Sequence, residues 1–311
     1  MITEQGYQIA WLVWLPEVYM KSKLADQLAA IATFAERYLP EVVYKEGLTF
    51  KLAPGTTLEE QRERVWNDWW LAFLFFLDRA YYQGRRDELS KRFEYAAIEA
   101  LKRVFGEGVD SFCKAEKLTA LMRQGGLDWK NPQGELWDVL TQKYSTPFGK
   151  SGTGKRRDRE MVLDALKWAA SEIEDHNLVR HSLHRVNEGR VAEIYERLRC
   201  LRGVGPKTAA LFLRDVVLIW GTENSLQSTA DYVYVFPIDT WVRQVLKELD
   251  EQSFHGSDEE LAEQAIKACL ENRVSPMKFN IGAWHIGAHS FKTLTEMIKE
   301  SPTKYLEELP G

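Results

Sequence analysis

Two residues carry the most distinctive chemistry in this sequence, Lys207 and Asp239. Lys207 stands in CLRGVGPKTAALFL, Cys200 to Leu213, after two glycines and a proline and where apolar periodicity resumes. A helix N-terminus carries partial positive charge, so a cation there is the less favoured choice and its neutral amine gains. Partial burial would push the lysine pKa down further, which makes an amine a usable nucleophile near neutral pH. Thirty-two positions later, in FPIDTWVRQV, Asp239 precedes a helical pattern with apolar Val242, Val245 and Leu246. Its place is that of an N-cap. A lysine with a carboxylate nearby also suits covalent attack at an anomeric carbon, Lys207 forming a Schiff base while Asp239 steadies the developing positive charge.

A hairpin must position the lysine. Val191 to Leu201 reads as one helix, with apolar Val191, Ile194, Leu198 and Leu201, and Thr208 to Trp220 as another. Between them Gly203 and Gly205 permit backbone conformations closed to other residues and let a ligand approach the main chain. Pro206 has the φ suited to a first helical turn and lacks an amide proton that would be orphaned there. Such a turn presents backbone N–H groups at a helix N-terminus, a site for phosphate. Contacts of that kind fix position on DNA without reading sequence. An ordinary bend between two helices is the plainer alternative.

The rest of the chain reads as mostly α. Helical periodicity marks 23–38, 58–82, 87–105, 134–143, 158–175, 190–201, 207–220, 240–249, 258–271 and 280–298. Strand signals are confined to Glu41 to Leu52 and to YVYVF at Tyr232 to Phe236, too few for a parallel sheet. Breaks are expected at LAPGTT (Leu52 to Thr57), at TPFGKSGTGK (Thr146 to Lys155) and after Gly221. At 311 residues, 45% apolar and 28% charged, the chain has the composition of a globular protein of one large domain or two moderate ones. Eleven tryptophans are enough to line a surface or pocket as well as a core. Cys113, Cys200 and Cys269 lie far apart, offering no metal-type pair and no even disulfide set, which suits a reducing cytosol. No secretory signal is read at the N-terminus, and the apolar run from Trp69 to Leu77 is too short to span a bilayer.

A formal charge of −5 argues against a nucleic-acid partner, but its distribution matters more. From His176 to Arg214 eight cations face three carboxylates, while Glu248, Asp250, Glu251, Asp258, Glu259, Glu260 and Glu263 gather further on. A basic face and an acidic one are expected, or simply solvated helix surfaces. GKSGTGK, Gly149 to Lys155, has the spacing of a phosphate-cradling loop, but Arg156 follows where Ser or Thr would hold magnesium, and no apolar strand precedes it. A flexible basic loop able to touch a phosphate backbone is the better reading. His285 and His289 stand at i, i+4, with Ile286 where a metalloprotease glutamate would be, and His181 and His184 form a second pair. Neither pair has a third ligand in easy reach, so both are expected to pack or hydrogen-bond.

The motif L-x-G-V-G-x-K-T-A, followed by a hydrophobic-Pro-hydrophobic-Asp-Thr segment, resembles the helix-hairpin-helix base-excision DNA glycosylases. More narrowly it resembles the bifunctional glycosylase/AP lyases, with a lysine where Lys207 stands. The motif matching covers about Val191 to Leu249. The resemblance implies two helical subdomains with a DNA-binding cleft between them: a helical barrel over 61–230 carrying the hairpin (191–220), and a second domain of 1–60 plus 231–311. It implies that Lys207 attacks C1′ and expels the base, that β-elimination nicks the strand, and that Asp239 assists. Arg202, Gly203, Val204, Gly205 and Thr208 would meet DNA phosphate, with an alkali ion held by the backbone carbonyls of Arg199, Leu201 and Val204. WWLAFLFFLDRAYYQGRRDELSKRF looks like the family's early barrel helix and the loop that wedges the duplex, which makes Tyr82, Gln83, Arg85 and Arg86 candidates. Trp284 and His285 in FNIGAWHIGAHSF, with Trp241, are candidates for the pocket of the flipped base.

Departures from the pattern narrow the expectation. A C-terminal cysteine quartet is absent, so no iron–sulfur cluster or other cofactor is expected. This and the long Gly221 to Asp231 segment favour the 8-oxoguanine branch, archaeal-type. Arg202 replaces the usual proline before the hairpin. The expected protein is a monomeric, cytoplasmic repair enzyme acting on damaged double-stranded DNA, with no membrane partner. A non-catalytic helix-hairpin-helix DNA-binding module and a P-loop phosphohydrolase are the rival readings.

Overall fold

The computed structural model describes residues 23–37, 57–82, 87–147, 152–302 and 305. The fold is mostly helical, with no strand among these residues. In chain order the helices are α1 (23–37), α2 (Leu58–Asn67), α3 (Trp69–Ala80), α4 (Asp87–Phe105), α5 (Ser111–Arg123), α6 (Glu135–Thr141), α7 (Arg156–Glu172), α8 (Leu178–Asn187), α9 (Val191–Arg199), α10 (Pro206–Trp220), α11 (Thr229–Val233), α12 (Thr240–Leu249), α13 (Asp258–Glu271) and α14 (Pro276–Glu300). The chain divides into two compact units, Val43–Val235 and Met1–Val42 with Phe236–Gly311.

The larger unit is built on α3. Its sequence, WWLAFLFFLDRA, is apolar all round, the pattern of a helix enclosed by others, and ten of its twelve residues are buried. Helices α2, α4, α8 and α10 pack on it. Each large aromatic taken from water here contributes about 2–3 kcal/mol. Phe73, Phe76 and Phe212 of α10 are almost wholly enclosed. One apolar period over 58–82 suggests a single helix, but the chain breaks at Asp68. Its Oδ1 accepts the amides of Trp70 and Leu71 at 2.8 and 3.1 Å, capping α3 as α2 ends. Helix α5 escaped the periodicity because only Lys114, Leu118 and Leu121 are buried on it, among charged neighbours.

YVYVF is not a strand. Ser228 and Asp231 form a capping box that starts α11, so Tyr232 and Val233 are helical, and the chain turns before Pro237. The β-branched and aromatic residues that gave the strand signal serve packing: Tyr234 lies 5.0 Å from the Tyr195 ring, and Val235 is fully buried. The other strand signal, Glu41 to Leu52, lies outside the described residues.

In the smaller unit α14 packs along α12 and α13. Two glycines make close approaches possible. A Cβ on Gly282 would stand 2.4 Å from the carbonyl oxygen of Ile31 in α1, and one on Gly287 would stand 2.6 Å from Cβ of Trp241 in α12. Helix α14 is interrupted at Ser290, whose φ of −149° and ψ of 27° are not helical. Among the described residues no helix is long and apolar enough to cross a membrane.

Candidate functional site

Helices α9 and α10 are joined by a turn over residues 200–205 and pack on each other. The turn begins at Cys200, and the Val204 amide donates to the Leu201 carbonyl at 3.0 Å. Gly203 takes a φ of +86°, where a side chain is strained, and a Cβ there would press on Met161 at 3.3 Å and on Arg157 at 3.5 Å. Gly205 is different. Its extended φ of −102° suits any residue, and nothing lies within 4 Å of where a Cβ would be. It stands as the N-cap of α10 with no side chain to offer the amides of the first turn, and Pro206 occupies the first helical position. Lys207, half-buried, and Thr208, buried, follow in that turn.

The seat of this turn was not read from the sequence. It is one face of α7, where Arg157, Glu160, Met161 and Asp164 recur at helical spacing. Asp164 Oδ2 accepts the backbone N–H of Arg202 at 2.8 Å, and the Trp129 side chain also hydrogen-bonds this carboxylate. Burial pushes the Asp164 carboxyl above the usual aspartate range, against the opposing pull of that amide, Arg197 and Lys167. Glu160 receives Arg202 Nε and Arg156 Nε, each at 2.8 Å, and the Arg202 guanidinium lies 5.4 Å from the Trp129 ring. Arg202 was expected to meet DNA phosphate. In the structure its amide meets Asp164 and its guanidinium, partly exposed, meets Glu160. Of the residues expected to line an ion site, Arg199 pairs with Glu196, Leu201 is buried with its carbonyl receiving Val204, and Val204 is buried.

Helix α10 is anchored along its length. Asp215 accepts from Arg79 Nε of α3 at 3.0 Å and from Arg214 Nε and Nη2 at 2.9 and 2.8 Å. Their side chains are at most 7% exposed, and the Arg79 guanidinium stacks 3.7 Å from the centre of the Phe75 ring. The arginines of the run from His176 to Arg214 are largely ion-paired. Arg180 pairs with Asp175, Arg185 and Arg190 with Glu188, Arg197 with Glu172, Arg199 with Glu196, Arg202 with Glu160 and Arg214 with Asp215. Much of its positive excess is met by carboxylates from outside the run.

In the smaller unit Asp239 is an N-cap: Oδ1 accepts the amides of Trp241 and Val242 at 3.0 and 2.9 Å. The segment before it is fixed by Asn280, fully buried, whose Nδ2 donates to the Pro237 carbonyl at 3.0 Å, and by Phe236 against Phe279. A lone Asn in an apolar helical run was the available signal for that contact. The three pocket candidates share this unit. Trp284 lies 6.3 Å from His285 and 5.9 Å from His289, and the two histidines are 4.6 Å apart. Trp241, 39% exposed, meets α14 at Gly287. The Nδ1 of His285 is buried with no hydrogen-bond partner, and burial, helped by His289, holds its pKa below the usual histidine range.

The remaining candidates are placed as follows. Tyr82 is half-buried just after α3, while Gln83, Arg85 and Arg86 lie outside the described residues, as do Gly149 to Ser151. Of the loop that resembles a phosphate cradle, Gly152 bridges to Tyr144, and the Lys155 amide is taken by Asp158 at 2.8 Å. His181 and His184 pack against Trp168 and Trp66. Among the described residues no three His, Cys, Asp or Glu side chains gather as metal ligands, and the three cysteines are unbridged. No family model, no curated protein and no solved structure matches the chain.

Proposed function

We propose that this protein is a helix-hairpin-helix DNA glycosylase with AP-lyase activity, which excises an oxidised base, 8-oxoguanine foremost, from duplex DNA. The observation that carries the reading is the start of α10. A turn that needs glycine at 203 leads to a helix whose first turn has no capping side chain and holds Lys207. Backbone amides at such a helix start suit a phosphate oxygen. Lys207, acting as the amine, attacks C1′ of the damaged nucleoside. The C1′–N bond breaks and its electron pair leaves with the base. Lys207 Nζ, having given up a proton, is then bound to C1′ as an aminal; the C1′–O4′ bond breaks, O4′ takes up a proton, and the resulting iminium acidifies the 2′ carbon. Loss of a 2′ proton then expels the 3′ phosphate and nicks the strand. Asp239, with Oδ1 on the α12 amides, is asked to steady the cationic sugar through its negative charge.

Borohydride with a panel of duplexes, each holding one defined lesion, tests this. A covalent adduct should form on an oxidised base and vanish in Lys207→Gln. Good DNA binding without an adduct on any lesion would leave a non-catalytic DNA-binding module. That second reading is favoured by Asp239 having an ordinary capping task and by Arg202 being committed within its own unit.

A further inference from the structure

We propose that Asp164 is a positioning residue of the hairpin and that its charge limits how tightly the turn holds a phosphate. This rests on the reading that the hairpin grips a DNA backbone. The carboxylate does two opposed things. By accepting the Arg202 N–H at 2.8 Å it pins the turn to α7, one residue before the left-handed Gly203. It also sets a negative charge beside a turn whose amides are offered to another anion. Binding DNA therefore brings a phosphate towards a carboxylate that cannot swing away without releasing the turn.

The surroundings make that charge adjustable. The groups facing Asp164 are Arg197 from α9, Lys167 from α7 itself, the Arg202 amide from the turn and the Trp129 side chain from the loop after α5. The Arg202 guanidinium is not among its partners, being held by Glu160. Burial outweighs these neighbours and favours the protonated acid. A protonated Asp164 keeps a carbonyl oxygen for the Arg202 amide while its charge is gone. The turn stays pinned, the repulsion ends, and the hold on phosphate strengthens as pH falls through the titration of Asp164.

Two substitutions separate the clamp from the charge. Asp164→Asn keeps an acceptor and removes the charge; Asp164→Ala removes both. Binding of a short undamaged duplex is followed by fluorescence anisotropy as the pH is lowered from neutral towards the ordinary aspartate value of about 4. At neutral pH Asp164→Asn should bind roughly two- to fivefold tighter than the wild type, as expected for removing one partly solvated charge. It should also lack the wild-type rise towards acid pH. Asp164→Ala should bind more weakly than either, with faster hydrogen exchange at the Arg202 amide and an unchanged helical circular-dichroism spectrum. If Asp164→Asn binds as weakly as Asp164→Ala, or keeps the wild-type pH slope, the charge has no such role and the inference falls. If the wild type binds and Asp164→Asn leaves its affinity unmoved, this inference alone fails. A wild type without affinity for DNA overturns both it and the functional reading.

Discussion

Helices α10 and α12 each open on a residue implicated in chemistry, and they open in opposite ways. Helix α12 begins with its amides satisfied: Asp239 Oδ1 takes the N–H groups of Trp241 and Val242. Helix α10 begins at Gly205 and Pro206 with no side-chain cap, although nothing crowds position 205 and its backbone would accept serine or aspartate. Stability alone would fill that position. The bodies of the two helices differ too, for α10 is held by the buried Arg79–Asp215–Arg214 cluster and α12 by apolar Val242, Val245 and Leu246. A helix start can do without a capping side chain when other contacts fix the helix, and that suits a start where an outside anion is to be met.

The largest expected effect is on the anchoring of α10. Asp215→Ala removes the carboxylate that two buried arginines share, Arg79 keeping Asp78 at 3.0 Å, and should cost about 3 kcal/mol, read by urea denaturation. A loss below 1 kcal/mol would mean that α10 is held by its apolar face alone, and the contrast with α12 would disappear. Next comes the cap of α12: Asp239→Ala should lose about 1 kcal/mol, while Asp239→Asn retains an acceptor and most of that stability. Under the proposed mechanism Asp239→Asn should still lose lesion cleavage, separating capping from catalysis; normal cleavage by this variant would assign Asp239 to capping only. The smallest change in stability is expected at the open start. Gly205→Ser should gain a few tenths of a kcal/mol by capping α10. DNA affinity should nevertheless fall severalfold, because the hydroxyl takes an amide meant for phosphate. Equal or higher affinity would show that these amides do not meet DNA.

The sequence made the helical class, the helix start at Pro206 and the cap at Asp239 legible, because each depends on local pattern: 3.6-residue periodicity, glycine before proline, an aspartate before an apolar helix. Part of what it hid depends on residues far apart in the chain. Arg202 and Glu160 are 42 positions apart, and Arg79 and Asp215 are 136. For Arg197 and Arg202 the sequence cannot show which carboxylates fold against them, Glu172 and Glu160 being 25 and 42 positions away. The strand signal at Tyr232 to Phe236 arose from residue types shared by strands and by chain packed over a core, and the Ser228–Asp231 box decided between them. Asp68 was likewise invisible inside a continuous periodicity, although its oxygen divides one expected helix into two.

The fit of Gly287 against Trp241 fixes the order in which this protein can change. Any side chain at 287 would meet the Cβ, Cα and carbonyl of residue 241, atoms that every non-glycine residue shares, so no replacement at 241 short of glycine makes room for it. The indole itself projects partly into solvent and is under no such demand. Descent with modification can therefore exchange one aromatic or polar ring for another at 241 in a single step. Position 287 must stay glycine throughout, unless the two helices first move apart.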